Sequence, residues 1–421
     1  MTGPTISPAQ VDEVAHLALL LGRLLLANGA ETDAVQEAVG RLAAAFGCEA
    51  NLMVGYEALL ATITLGEHFR TKVSHRLPGI NIGMGTVAAA KTVLEEAEQG
   101  RLTLAALSDR LDAIEHHPPA YPRWLVALAL GGTAASLSRL FGGDWGAFLV
   151  AGLAGIVSTW LRLALGGRGA NPVLVAFTAA LLGGLIGGAG VRLGASHTAA
   201  LCLVTPAMIL VPGVPLINGV QDMIRNHVTL GLSRLGFAGL LVSAIAFGLV
   251  TGALVTGVRI PVNAATVTIG LAQDALFSAT AAAGFALLFN VPPRLIWACI
   301  ACGIASHTLR TLLFQLGVDI IVGTLIGSLA AGFLAHGFAR AFDAPPPAFA
   351  FPGVVAMIPG AYAFRAVVGC LQIARTAASP AVVAETLALA ITVALMVAGI
   401  AIGIAAPALL AAPFRAARPH R

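Results

Sequence analysis

Charge is what this chain is short of. Only 10% of its 421 residues are Asp, Glu, Lys or Arg, against about 25% in ordinary soluble domains. So little charge over such a length excludes a water-facing surface around the whole chain. Lysine almost vanishes: Lys72 and Lys91 are the only two. There is no cationic stretch with interleaved aromatics, so the net charge of +4 does not point to nucleic acid as a partner. Cysteine is sparse and scattered. The one C-x-x-C, Cys299 and Cys302, lies among alanines with no second pair and no histidine cluster beside it. It reads as small residues on a packed helix, and neither a metal nor another cofactor is expected. No G-x-S-x-G, H-E-x-x-H or phosphate-loop pattern occurs. That leaves no visible catalytic site and excludes ATP hydrolysis by this chain as a driving force. A secretory signal is missing as well. The first apolar run, Val14–Ala27, contains Arg23 and follows Asp12 and Glu13. It is therefore amphipathic, and the N-terminus is expected to stay in the cytoplasm.

What is present is apolar. Hydrophobic residues make up 58% of the chain, and its mean hydropathy is +0.89. Residues 1–121 hold a large share of the charge and predict a small soluble α+β domain. Helices are expected over Val11–Ala27, Glu31–Phe46, Val87–Gln99 and Thr103–Ile114. Short strands are expected at Glu49–Val54, Leu59–Leu65 and Phe69–Ser74. His116-His117-Pro118-Pro119 reads as a linker.

Ten apolar runs follow: 123–140, 145–165, 171–194, 198–218, 235–257, 262–289, 293–316, 319–341, 348–371 and 381–410. Most have the ~17–25 residues a helix needs to cross ~30 Å of hydrocarbon. The expected class is a polytopic α-helical membrane protein, its partners including the lipid bilayer. Arginines favour the ends assigned to the cytoplasm, which predicts both termini inside. Glycine pairs such as Gly184/Gly188, Gly248/Gly252 and Gly399/Gly403 let helix backbones approach closely. They suit packing within one chain and a homo-oligomer equally.

The chain also repeats itself. Gly155-Ile156-Val157-Ser158-Thr159-Trp160-Leu161-Arg162 matches Gly303-Ile304-Ala305-Ser306-His307-Thr308-Leu309-Arg310 at an offset of 148. The same offset pairs Gly169 with Gly317 and Gly184 with Gly332. With a small slip, Pro206 and Pro212-Gly213 face Pro352 and Pro359-Gly360. The expected halves are residues 122–258 and 259–421, five spans each. Five is odd, so the second half enters the membrane upside down relative to the first. Inverted repeats of this kind are frequent in secondary transporters, where broken helices surround a midplane site. Pro212, Gly213, Pro359 and Gly360 are the expected breaks, since proline removes a backbone donor and glycine permits an unwound turn.

Polar groups inside apolar runs are the remaining signal. Asp274 lies near the middle of its expected span, where a carboxylate costs about 2.5–3.5 kcal/mol on insertion scales. The offset sets Val126 opposite it, so it has no counterpart. One unmatched acid is what coupling to one proton requires. His307 and Arg310, three apart, share a helix face; His307 is a candidate proton relay or partner of Asp274. Arg310 matches Arg162; each either snorkels to its membrane face or takes its turn at meeting an anionic substrate group, and snorkelling is the ordinary reading for Arg162. Around the two breaks, Asn218, Asp222 and Arg365 are candidate substrate residues, with arginine suited to a carboxylate and amides to an amine or hydroxyl. Asn171 and Asp319 read as helix N-caps.

Several motifs together resemble the threonine/serine exporter family, the ThrE-like proteins. They are Leu24-Leu25-Leu26-Ala27-Asn28-Gly29-Ala30-Glu31-Thr32, Pro212-Gly213-Val214-Pro215-Leu216-Ile217-Asn218 with Asp222, Gly284–Pro292, and Ile358-Pro359-Gly360-Ala361-Tyr362. The resemblance covers nearly the whole chain. It implies export of threonine and serine across a bacterial inner membrane, driven by the proton gradient. Split relatives imply dicarboxylates such as succinate as the alternative solute. A membrane-embedded enzyme or a ligand sensor is the alternative of another class. The N-terminal domain shows no catalytic constellation and is expected to gate, regulate or assemble the transporter.

Overall fold

The structure is a computed structural model that describes residues 7–74, 82–258, 269–375 and 379–416. All the elements expected near the N-terminus form. They are helices α1 (Pro8–Ala27), α2 (Thr32–Ala45), α3 (Met84–Glu98) and α4 (Leu104–Glu115), with strands β1 (Glu49–Val54), β2 (Leu59–Leu65) and β3 (His68–Val73). The strands pair antiparallel in the order β1-β2-β3. Period-two alternation decides the covered face: Leu59, Ala61 and Ile63 of β2 are buried where α1 packs on the sheet.

Twelve further helices follow: α5 (Arg123–Leu140), α6 (Trp145–Gly166), α7 (Pro172–Arg192), α8 (Ala199–Met208), α9 (Gly213–Ile224), α10 (Val228–Thr256), α11 (Leu271–Leu288), α12 (Ile296–Gln315), α13 (Ile320–Phe342), α14 (Pro347–Val354), α15 (Gly360–Arg375) and α16 (Pro380–Ala416). Among the described residues, seven helices are long and apolar enough to cross a membrane, and two bent pairs raise this to nine. The remaining expected span is α5. Its 18 residues reach about 27 Å at 1.5 Å per residue, with an arginine near each end. Polar caps open three helices. Asp144 accepts from Ala147 N–H, Asn171 from Val173 N–H and Asp319 from Ile321 N–H, so the last two serve as read from the sequence.

Two boundaries that bear on buried charged groups differ from expectation. Gly270 is extended and opens α11 at Leu271. Asp274 therefore lies in the first turn of its helix, not mid-span; residues 262–268 of that expected span fall outside the described residues. Helix α10 begins at Val228, seven residues before the expected start at 235, and Arg234 within it is buried and paired with Asp222.

The N-terminal region caps one end of the bundle, here the near end. Its contacts reach helix ends and, through Gly29 and Tyr56, the bodies of α9 and α10. The N–H groups of Met84 and Gly85, unpaired at the start of α3, donate to the carbonyls of Phe289 and Asn290 at the end of α11, at 2.9 and 3.1 Å. Tyr121 donates to the Val291 carbonyl at 2.6 Å. Lys91 meets Asp343 beyond α13 at 2.5 Å, and its ammonium holds that carboxyl below the usual carboxylate range.

Packing of α5–α10 recurs in α11–α16. Gly155 of α6 sits on Ala134 of α5, and Gly303 of α12 sits on Ala282 of α11, both pairs related by the offset of 148. Helix α7 crosses α10 at Gly184 and Gly252, as α13 crosses α16 at Gly332 and Gly403. Gly169 and Gly317, each past the end of its helix, have φ of 73° and 88°. Helix α8 bends into α9 by 61°, and the stretch Pro347–Met357 bends into α15 by 49°. These two breaks touch. A β-carbon on Gly360 would stand 3.0 Å from Val211, and one on Gly213 would collide with Ile358.

Close crossing makes glycine irreplaceable at Gly252, where a β-carbon would lie 3.0 Å from the Gly184 carbonyl carbon. Gly252→Val should lower stability by about 1–3 kcal/mol, read as a lower thermal midpoint in detergent. Gly239→Ala, on the same helix with nothing within 4 Å, should leave the midpoint unchanged or raise it.

Candidate functional site

Helices α11 and α12 pack side by side, which brings the first turn of α11 to the last turns of α12. The Asp274 carboxylate accepts from His307 Nδ1 at 2.9 and 3.0 Å, from Thr311 Oγ1 at 2.6 Å and from Thr308 Oγ1 at 3.1 Å. Positions 307, 308 and 311 lie within one helical turn, so a single stretch of α12 supplies every donor. On the other side of the imidazole, Arg310 Nη2 lies 2.5 Å from His307 Nε2. A guanidinium carries no acceptor, so Nε2 must accept and the ring proton sits on Nδ1, donated to Asp274. The neutral imidazole thus links an acid to a cation. Asp274 and His307 are each 1% exposed, and Arg310 Nε has no partner among the described residues.

This line of groups borders a cavity of about 1020 Å³. Its wall runs from Met357 and Pro359 at the second break, past Asp274, His307 and Arg310, to the exposed side chains of His197 and Gln372. Those last residues stand where α8 begins and α15 ends, at the far end of the bundle from the N-terminal region. Arg365 and Tyr362 of α15 line the same space; Arg365 also approaches Glu385 at 3.6 Å. Five of the ten candidates read from the sequence therefore share one cavity: Asp274, His307, Arg310, Pro359 and Arg365. Gly360 lies beside it at the break. Thr308, Thr311 and Tyr362 were not singled out, although the four-residue step from His307 to Thr311 is legible as one helix face.

Pro212, Gly213, Asn218 and Asp222 do not line this cavity. Pro212 and Gly213 form the first break, against the second. Asn218 and Asp222 lie on α9 beneath the N-terminal region. Thr32 Oγ1 donates to Asp222 Oδ1 at 2.6 Å, and Arg234 Nη1 to Asp222 Oδ2 at 2.7 Å. Asn218 Nδ2 donates to the Gly29 carbonyl at 3.3 Å. Gly29, with φ of 89°, makes the left-handed turn that ends α1 and presents that carbonyl. Arg225 pairs with Glu31 and Asp33 at 2.8 and 3.2 Å, and His227 with Asp33 at 2.8 Å. Asn28–Asp33, the turn after α1 with the first residues of α2, thus docks the N-terminal region on α9 and the turn that follows it.

A buried pair that loses one partner costs about 3–5 kcal/mol, while replacing both is often neutral. Arg234→Leu should therefore destabilise the protein strongly, and Arg234→Leu with Asp222→Leu should recover most of the loss, as measured by thermal unfolding in detergent.

Comparison with known proteins gives the family. Two models of the threonine/serine exporter family, ThrE, match residues 16–256 and 274–410. The chain is 31% identical over 257 residues to the "Probable succinate transporter subunit YjjP" of Escherichia coli K12, covering 59% of this chain and 97% of that protein. It is 23% identical over 387 residues to the "Probable threonine/serine exporter" of Mycobacterium tuberculosis H37Rv, covering 87% of this chain and 72% of that protein. No solved structure matches. With both family segments in one polypeptide and the apolar helices to cross a bilayer several times, the chain is a multi-pass membrane protein that belongs to the threonine/serine exporter family.

Proposed function

We propose that the chain is a secondary active exporter of small hydroxy amino acids, threonine and serine, driven by the proton gradient. The observation that carries this reading is the buried line Asp274–His307–Arg310 on the wall of a cavity that reaches the far end. An amino acid is a zwitterion: its ammonium seeks the Asp274 carboxylate and its carboxylate seeks Arg310. A proton on Asp274 removes the charge the ammonium needs. Proton and amino acid then compete for one carboxylate, so protons entering from the far side drive the amino acid out. His307 touches both groups and relays the proton; Arg365 borders the same space.

Alternating access is the motion this requires. Residues 122–258 and 259–421 act as inverted repeats in this reading. It is supported by the recurrence of packing at offset positions and by the odd number of spans in each half. The breaks at Pro212-Gly213 and Pro359-Gly360 are the pivots. Residues 1–121 are the cytoplasmic domain, which places the near end inside and the cavity mouth outside the bacterial inner membrane. Asn218 and Asp222 belong to the inward side of the same pathway. Glycine faces on the bundle suit a homo-oligomer.

One observation favours a dicarboxylate such as succinate instead. Two arginines, Arg310 and Arg365, line one cavity, and the relative from Escherichia coli is named for succinate. Reconstitution in liposomes under an imposed pH gradient separates the two. Labelled threonine and serine should accumulate; preference for succinate selects the second reading, and movement of none of the three contradicts both. Asp274→Asn should abolish gradient-driven accumulation and weaken exchange as well, because the amide offers the ammonium no negative charge. Unchanged accumulation in that variant would remove Asp274 from the coupling role.

A further inference from the structure

Seven described side-chain atoms are buried without a hydrogen-bond partner, and four of them belong to two helices: Ser158 Oγ and Thr159 Oγ1 on α6, and Asn218 Oδ1 and Gln221 Oε1 on α9. All four residues are at most 3% exposed. A buried polar atom left unpaired costs roughly 1–3 kcal/mol, so four of them on two helices call for a cause. Helix habit does not supply one. Elsewhere in the bundle Thr178, Thr205 and Thr324 donate to the carbonyl four residues back, at 2.9, 2.6 and 2.7 Å. Ser158 and Thr159 do not.

Their positions give the cause. At the offset of 148, Ser158, Thr159 and Arg162 correspond to Ser306, His307 and Arg310. At the offset of 147 that relates Pro212-Gly213 to Pro359-Gly360, Asn218 and Gln221 correspond to Arg365 and Val368. Of those counterparts, His307, Arg310, Arg365 and Val368 line the far-end cavity. The unpaired atoms thus mark the same place in the other half, turned toward the near end. Arg162 itself makes no ion pair or hydrogen bond among the described residues.

We infer that Ser158, Thr159, Arg162, Asn218 and Gln221 form a second solute site, closed in this structure, that opens toward the N-terminal region and binds a zwitterionic amino acid from that side. The inference rests on the alternating-access reading. Its chemistry narrows the solute. Asn218 and Gln221 each spend the amide nitrogen on a backbone carbonyl, of Gly29 and of Ala401. A carbonyl only accepts, so the amide orientation is fixed and the oxygen ends are the free ones. Two free carbonyl oxygens and two hydroxyls suit an ammonium and a side-chain hydroxyl. Arg162 is left for one carboxylate. A second carboxylate would face amide oxygens, so a dicarboxylate fits this site poorly. The cover is the segment Asn28–Asp33, whose Gly29 carbonyl sits on Asn218.

The test is sided labelling. Thr159→Cys, in the full chain with its five native cysteines replaced by alanine, is placed in sealed vesicles of each orientation and treated with a membrane-impermeant maleimide. Labelling is expected from the near-end side only. Serine at about ten times its dissociation constant should slow it about tenfold, by simple occupancy, and succinate should not. Adding Arg162→Ala should leave labelling intact and remove protection by serine, while Arg162→Lys should keep part of it. No labelling from the near-end side in a variant that still transports overturns the site. So does labelling that serine never slows, or protection that survives Arg162→Ala, as expected for an arginine that merely reaches the interface. Wild-type vesicles that move no serine, threonine or succinate would instead refute the transport reading itself.

Discussion

The structure depends on the contact between two interrupted helices. A backbone that leaves the helix at membrane depth must be buried in protein or line a cavity. Here each interruption is covered by the other: Gly360 lies against Val211, and Gly213 lies against Ile358. Neither half is complete alone, because each supplies the wall that the other's break requires. The contact also sets the depth of the cavity, whose wall begins at Met357 and Pro359. The cavity extends from that point toward the far end, and Asn218 and Asp222 on the other side lie under the N-terminal region.

Around this centre the two halves repeat in packing but not in chemistry. Gly155 on Ala134 and Gly303 on Ala282 show the shared scaffold. Thr159 where the other half has His307, and Val126 where it has Asp274, show the divergence. One half carries an acid, its imidazole partner and an arginine in one line. The other carries hydroxyls, amides and an arginine beneath a docking segment. In the proposed exporter that difference lets one half exchange a proton while the other loads a solute.

Much of this was legible in the sequence because hydropathy and punctuation act locally. Ten apolar runs, the three strands, the caps at Asn171 and Asp319, and both breaks follow from composition and spacing. Asp274, His307 and Arg310 were readable as polar groups in apolar runs, and two of them as one helix face. Asp222 was not readable in the same way. Its partners are Thr32, 190 residues away, and Arg234 on the next helix, so no local pattern says that it anchors the N-terminal region instead of lining the cavity. Arg234, buried against Asp222, shows the same limit: only tertiary packing tells a snorkelling arginine from a buried one. The depth of Asp274 was misread because an apolar run does not say where its helix begins, and Gly270 delays it.

The central claim is that the two ends of the bundle open in turn about the contact between the breaks. Distances between paired spin labels measure this directly. One pair, attached at positions 197 and 372, spans the cavity mouth; the other, at positions 109 and 226, spans the junction of the N-terminal region with the turn after α9. On adding serine under conditions that favour loading from the near end, the far-end distance should shorten as the near-end distance grows. Two distances that change in the same sense, or a near end that never opens while serine is being transported, would contradict the account.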